Sequence, residues 1–244
     1  MSGRDGSLAE RVASAGRLAA GLAGFTASLG VAALCIAGGA GRETITAATT
    51  SRMSRWTLAG GRVRLRVAGR EHLSADPRVY VANHQSFLDY PIMASVFPRR
   101  CIVVARRSIL RMPVVGALYR RSGHALLDRD DPGAARRTLD ALAERVRDEG
   151  VSVWMFPEGT RNRGDGHGLK PFKTGAFHLA LAAGVPVTPI VLSPLRPTLD
   201  LERGFIGPSR PVLHVLSPEP PSAPAREMAS RVRARMQRVL LEQA

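Results

Sequence analysis

Apolar and polar positions divide the chain into two regimes. Residues 1–17 are mixed and charged, with Arg4, Asp5, Glu10, Arg11 and Arg17. Residues 18–41, LAAGLAGFTASLGVAALCIAGGAG, carry no charge. A bilayer span takes ~20 apolar residues, so this run is long enough, although Gly and Ala outnumber its larger side chains. Small residues of this kind suit close helix packing in lipid. The run can be read as a cleaved signal peptide, as a buried helix of a soluble domain, or as a membrane-embedded or spanning helix. Its length favours the last. Residues 42–60 are small and polar with Arg52, Arg55 and Trp56, which reads as a shorter helix at an interface, where Trp beside Arg is common.

From Gly60 onward the period switches repeatedly between 2 and 3.6. Strands are expected at 62–69, 78–83, 101–105, 123–128, 151–157, 185–192 and 212–218,. Helices are expected at 90–97, 107–121, 134–150 (stopped by Gly150) and 176–184 (stopped by Gly184),. A Pro-rich stretch, PEPPSAPA, then precedes a basic amphipathic helix at 226–243. Its apolar stripe is Met228, Val232, Met236, Val239 and Leu240, and it suits either a lipid surface or the body of the domain,. Strands separated by helices imply an α/β fold with a mostly parallel central sheet flanked by helices. In such sheets ligands collect at the carboxyl ends of the strands.

The formal net charge is +15, from 35 Lys and Arg against 20 Asp and Glu. This excess points to anionic partners. Aromatic residues make up only 5%, leaving few platforms for stacking bases, so nucleic acid is not the expected partner. The two cysteines, Cys35 and Cys101, do not suggest a disulfide, because Cys35 lies in the apolar run,.

Three polar clusters follow predicted strands. NHQSFLD (83–89) places His84 and Asp89 five positions apart. On a regular helix the two would point about 140° apart. Pro91, however, fits only a first helical turn. The helix then starts near Leu88 or Asp89, and His84 can fold back to the carboxylate as a base with its orienting partner. The alternative is that Asp89 caps the helix and His84 is an ordinary loop residue. FPEGTRNRGDG (156–166) offers Glu158, Arg161 and Arg163 on a Pro/Gly turn, suited to holding a phosphate or to forming a solvated hairpin,. Asp165 and His167 lack a third metal ligand at a recognisable spacing,. GHALLDR (123–129) ends in Arg129, and LKPFKTGAF (169–177) adds Lys170 and Lys173.

Taken in order, NHQSFLD, GHALLDR, FPEGTRN and the Pro-bearing VPVTPIVL (185–192) resemble the four blocks of the glycerolipid acyltransferase family, in particular the bacterial 1-acylglycerol-3-phosphate acyltransferases. The resemblance covers roughly residues 60–195 and implies transfer of a fatty acyl group from acyl-CoA or acyl-carrier protein to the sn-2 hydroxyl of a lysophospholipid. His84 and Asp89 become the expected catalytic pair. Arg129, Glu158, Gly159, Thr160, Arg161, Arg106 and Lys173 are expected to bind substrate. Glu158 would order an arginine or a substrate hydroxyl, and backbone N–H groups near Gly159 would face the oxyanion. Many relatives carry Lys where this chain has Arg106, and a planar fork is not a compact ammonium. Another acceptor, such as a lyso-ornithine lipid, therefore stays open, as does a non-catalytic membrane-surface protein. The resemblance implies no metal and no redox cofactor. It divides the chain into a membrane-associated helical segment (1–59), a catalytic domain (60–220) and the C-terminal helix (221–244). It also implies attachment at the cytoplasmic face of a bacterial inner membrane.

Overall fold

The computed structural model describes residues 7–162, 164, 166–195, 199–200 and 205–243. Its first helix begins well before the uncharged run. Ser7 accepts from the Glu10 N–H, and the Glu10 carboxylate accepts from the Ser7 N–H. This capping box carries helix α1 (Leu8–Ala37) back over the charged residues,. At 1.5 Å per residue α1 is about 45 Å long. Helix α2 (Arg42–Gly60) returns antiparallel against it. The small residues are needed here: a Cβ at Gly24 would lie 2.6 Å from the Trp56 backbone, and one at Gly60 would lie 2.5 Å from the Ala20 backbone. Among the described residues α1 is the one helix long and apolar enough to cross a membrane. Its Leu8, Val12, Leu22 and Leu34 are exposed.

The sheet follows the predicted order of elements with shorter strands. These are β1 (Arg66–Ala68), β2 (Val79–Ala82), β3 (Cys101–Arg106), β4 (Ala125–Leu127), β5 (Ser152–Met155) and β6 (Val187–Leu192). A separate small hairpin pairs β7 (Leu199–Asp200) with β8 (Phe205–Ile206), and β9 (Val212–Val215) returns to the main sheet. The strand order is β1-β9-β6-β2-β5-β3-β4. Strands β2 to β6 run parallel, whereas β9 is antiparallel to β6. Five carboxyl ends therefore share one edge.

Alternation within the strands splits the core in two. Val79, Val81 and Val153 face one side, and Tyr80, Ala82, Trp154 and Val103 face the other. The second side is covered by α1, α2, α3 (Asp89–Met93) and α4 (Pro113–Ser122). The predicted helix at 107–121 is broken, because Arg107–Arg111 form a tighter turn and Pro113 opens a new helix,. The first side is covered by α5 (Pro132–Glu149), α6 (Gly175–Ala183) and α7 (Ala225–Leu241). The stripe of α7 thus belongs to the core: Met228, Val232, Met236 and Leu240 are wholly buried on the sheet. Strand β1 is shorter than 62–69, and Val63 makes only an isolated bridge to Ser209. Cys35 and Cys101 are both free thiols.

Candidate active site

The site begins where β2 stops pairing. Asn83 extends the ladder with its side chain: Nδ2 donates to the Leu192 carbonyl (3.0 Å), and Oδ1 accepts from the Leu192 N–H (2.8 Å). Gln85 continues along the same neighbour, donating to the carbonyls of Leu192 and Ser193 and accepting from the Leu195 N–H. These amides pin both sides of His84 to the end of β6. The sequence reading passed them over, although polar side chains just after a buried strand must find backbone partners.

Between them, His84 folds back on Asp89. Nδ1 lies 2.6 Å from Asp89 Oδ2, which also accepts from the N–H groups of Gln85 (2.6 Å) and Ser86 (2.9 Å). Asp89 is fully buried, while the His84 side chain keeps 12% of its surface. Asp89 does not cap α3, because Leu88 holds the cap position and makes no side-chain bond there. The carboxylate instead closes the turn that carries the histidine. With Nδ1–H donated to a carboxylate, Nε2 holds the lone pair. The ring stacks on Phe156 (centroids 4.2 Å apart, planes 21°) and meets Tyr90 edge-on (5.8 Å, 86°). Two aromatic walls thus fix its plane.

The FPEGTRN block grips the backbone of His84 from the other side. Glu158 is buried; its Oε1 accepts from the His84 N–H and its Oε2 from the Lys170 N–H, both at 2.9 Å. Burial pushes the Glu158 carboxyl above its ordinary value, against the pull of those two amides. Asn162 N–H donates to the His84 carbonyl at 2.6 Å. Beside the expected contact with an arginine or a substrate hydroxyl, the structure shows a further part for Glu158: each of its oxygens receives a backbone amide. The expectation for Gly159 changes. Its N–H closes the turn onto the Phe156 carbonyl (3.0 Å), so it does not point at an oxyanion. Gly159 sits at φ +72°, where a Cβ would press on the Lys173 stem. The turn needs glycine.

The cations gather on the same edge. Arg129, just after β4, donates to the Gly159 carbonyl. Burial lowers its pKa, and the like charge of Arg106 at the end of β3 adds to that. Two cations brought together in this way favour an anionic ligand between them. Arg129, Gly159 and Lys173 line a cleft of about 550 Å³ that is also walled by Phe156 and Arg136. Arg161 lies over the exposed ring of Phe87, 4.1 Å from its centroid, and its carbonyl accepts from Lys170 Nζ. Thr160 is exposed on the same turn. Burial raises the Tyr90 phenol, the charge of Asp89 adds to the rise, and the charges of Arg161 and Arg129 oppose it. Arg163 and Asp165 lie outside the described residues, and no group of three potential metal ligands occurs among the described ones.

A second cavity, about 310 Å³ and almost entirely apolar, lies near the same turn. Phe87, Leu88 and Tyr90 line it near the histidine, and it runs between the α1–α2 hairpin and the sheet. His84 lines neither cavity itself, but its ring touches a wall of each, Phe156 of the basic cleft and Tyr90 of the apolar slot.

Comparisons with known proteins bear on the fold and the family. A 1-acyl-sn-glycerol-3-phosphate acyltransferase of Haemophilus influenzae is 42% identical over 125 residues, 51% of each chain. One from Salmonella typhimurium is 37% identical over 168 residues, 67% of each chain. The matched segment thus spans about half to two thirds of these relatives. The crystal structure of the 1-acyl-sn-glycerophosphate (LPA) acyltransferase from Thermotoga maritima shares the fold, with a TM-score of 0.67 at 21% identity over 89% of this chain and 95% of that one. The model of the family described as Acyltransferase matches residues 64–193, from just before β1 to just past β6. That interval carries His84, Asp89, Arg129 and Glu158 together, and the chain belongs to the acyltransferase family.

Proposed function

We propose that the protein moves a fatty acyl group from a thioester, acyl-CoA or acyl-carrier protein, to the free sn-2 hydroxyl of lysophosphatidic acid, giving phosphatidic acid. The observation that carries this reading is His84, oriented through Nδ1 by Asp89 and free at Nε2, its ring touching a wall of the apolar cavity and a wall of the basic cleft. The names of the relatives support the same acceptor.

In this scheme the acceptor's phosphate is held by Arg129 and Arg161, with Lys173 and Arg106 at the rim, and the acyl chain lies in the apolar cavity. His84 Nε2 takes the hydroxyl proton as the oxygen attacks the thioester carbonyl. The carbon–sulfur bond then breaks, and the proton on Nε2 passes to the departing thiolate. Asp89 stabilises the imidazolium in between. Glu158 and Asn162 hold the His84 backbone, so Nε2 stays aimed while the ring changes charge. The scheme calls on no metal or redox cofactor. The hairpin, with Leu8, Val12, Leu22 and Leu34 exposed, would seat the protein on the cytoplasmic face of a bacterial inner membrane, where the net charge of +15 attracts anionic lipid,.

The test is acyl transfer from radiolabelled acyl-CoA to lysophosphatidic acid, a lyso-ornithine lipid and a neutral lysolipid in parallel. Fastest turnover with lysophosphatidic acid is expected. Faster turnover with either of the others would reassign the acceptor.

A further inference from the structure

The apolar cavity does not end in apolar residues. It passes Tyr90, whose ring meets His84, and reaches Ser122 and His124 toward the amino side of the sheet. In strand register His124 lies level with Val103, Trp154 and Tyr80, and His84 follows Tyr80 by four residues, so at ~3.3 Å per residue this level is roughly 13 Å from that of His84,. Two contacts place this end at the amino side of the strands. Arg42, at the start of α2, lies against Gly123, and Glu43 pairs with Arg100 just before β3 at 2.9 Å.

Each of the two polar side chains there has one hydrogen-bonding atom with no partner among the described residues. Ser122 ends α4, and its buried Oγ makes no hydrogen bond, although a helical serine ordinarily bonds back to the preceding turn,. The wall hydroxyls of Thr49 and Thr50 do bond back in that way. His124 Nδ1 accepts from the Val103 N–H at 3.3 Å, which puts the ring proton on Nε2,. No described group accepts that proton. Burial holds the ring neutral, with its pKa lowered to about 4. A plain hydrocarbon chain would leave both groups unmet, and unmet buried polar groups are unfavourable.

We propose that Ser122 and His124 form a recognition site for an oxygen on the acyl chain, a hydroxyl or keto group borne far from the carboxyl carbon. The assignment rests on the acyl-transfer reading above. The oxygen would accept from His124 Nε2–H and exchange a hydrogen bond with Ser122 Oγ. Carbon–carbon bonds of ~1.52 Å advance an extended chain by roughly 1.25 Å per carbon, so roughly 13 Å takes about ten carbons, and the reach of the His84 side chain beyond its backbone brings the chain to about a dozen.

The experiment sets 12-hydroxydodecanoyl-CoA against dodecanoyl-CoA, with 3-hydroxydodecanoyl-CoA as a positional control and lysophosphatidic acid as acceptor. An apolar-ended pocket would reject the 12-hydroxy chain, because desolvating a hydroxyl without a partner is costly. The expected result is that the 12-hydroxy chain is used at least as well as the plain one, and the 3-hydroxy chain less well. In Ser122→Ala and His124→Leu the ratio of 12-hydroxy to plain turnover should fall by roughly tenfold, with rescue in Ser122→Thr. A wild-type preference for the plain chain over the 12-hydroxy chain overturns the proposal, as does an unchanged ratio in both variants. Turnover of dodecanoyl-CoA itself tests the acyl-transfer reading separately, so failure of one is distinguishable from failure of the other. The wild-type comparison stands even if a variant does not fold.

Discussion

Replacing Glu158 separates a backbone clamp from a substrate contact. Its two oxygens hold the N–H groups of His84 and Lys170, each at 2.9 Å, in a buried position. Glu158→Ala orphans both donors, and at about 1–3 kcal/mol each the loss is roughly 2–6 kcal/mol. Glu158→Gln keeps one acceptor and turns an NH₂ toward the other amide, so about half that loss is expected. For a chain of this size each 1 kcal/mol lowers Tm by about 2–4 °C, so the glutamine variant should melt several degrees early. A histidine freed to shift by about 1 Å also loses roughly 10²-fold in rate. The assay pairs thermal unfolding, followed by circular dichroism, with kcat and KM on two acceptors, one phosphorylated and one neutral. A clamp lowers Tm and drops kcat alike on both. An unchanged Tm with a KM rise confined to one acceptor would refute the clamp and restore Glu158 to the substrate.

Other outcomes follow from the same geometry. Arg129→Met and Arg161→Met should weaken turnover mainly of phosphate-bearing acceptors, by roughly tenfold or more, and an equal loss on a neutral acceptor would contradict their phosphate role. His124 titrates at about 4 in the folded chain against 6.5 ordinarily. The stability it contributes is therefore full above 6.5 and is lost as pH falls toward 4, by roughly 3 kcal/mol over that window. The difference in unfolding free energy between wild type and His124→Phe, measured from pH 7 to 4, should shrink by about that amount; a constant difference would remove His124 from the acid response. Met236→Ala empties a wholly buried place under α7 and should cost about 2–5 kcal/mol in denaturant unfolding. A change below ~0.5 kcal/mol would mean that α7 does not pack on the sheet in solution.

The sequence displayed the sheet more clearly than it displayed its covering. Runs such as VYVA and VTPIVL are buried on both faces and read as parallel strands without help. The stripe of α7 fitted lipid as well as protein, because periodicity shows which face is apolar and not what meets it. The short β1 depends on packing that no local pattern carries, whereas the break at Met112–Pro113 had a local signal in Pro113 that a single helix over 107–121 ignores,. At the site, Pro91 correctly delayed the start of the helix and freed His84 to turn. The clamp at Glu158 was hidden for a physical reason: a carboxylate between Pro and Gly looks like a surface turn, and only the fold reveals that two backbone amides from distant segments converge on it. Asn83 and Gln85 carried a readable signal in their position after a buried strand. The unpartnered Ser122 hydroxyl and the open Nε2 of His124 carried none, since a missing hydrogen bond exists only in three dimensions.

The central claim, that His84 is the base, is tested most directly by His84→Ala. Its folding would be verified by thermal unfolding, and phosphatidic acid formation from acyl-CoA and lysophosphatidic acid measured beside the wild type. The account predicts a loss of at least ~10²-fold with the fold retained. Turnover within a few-fold of wild type in the folded variant would contradict it.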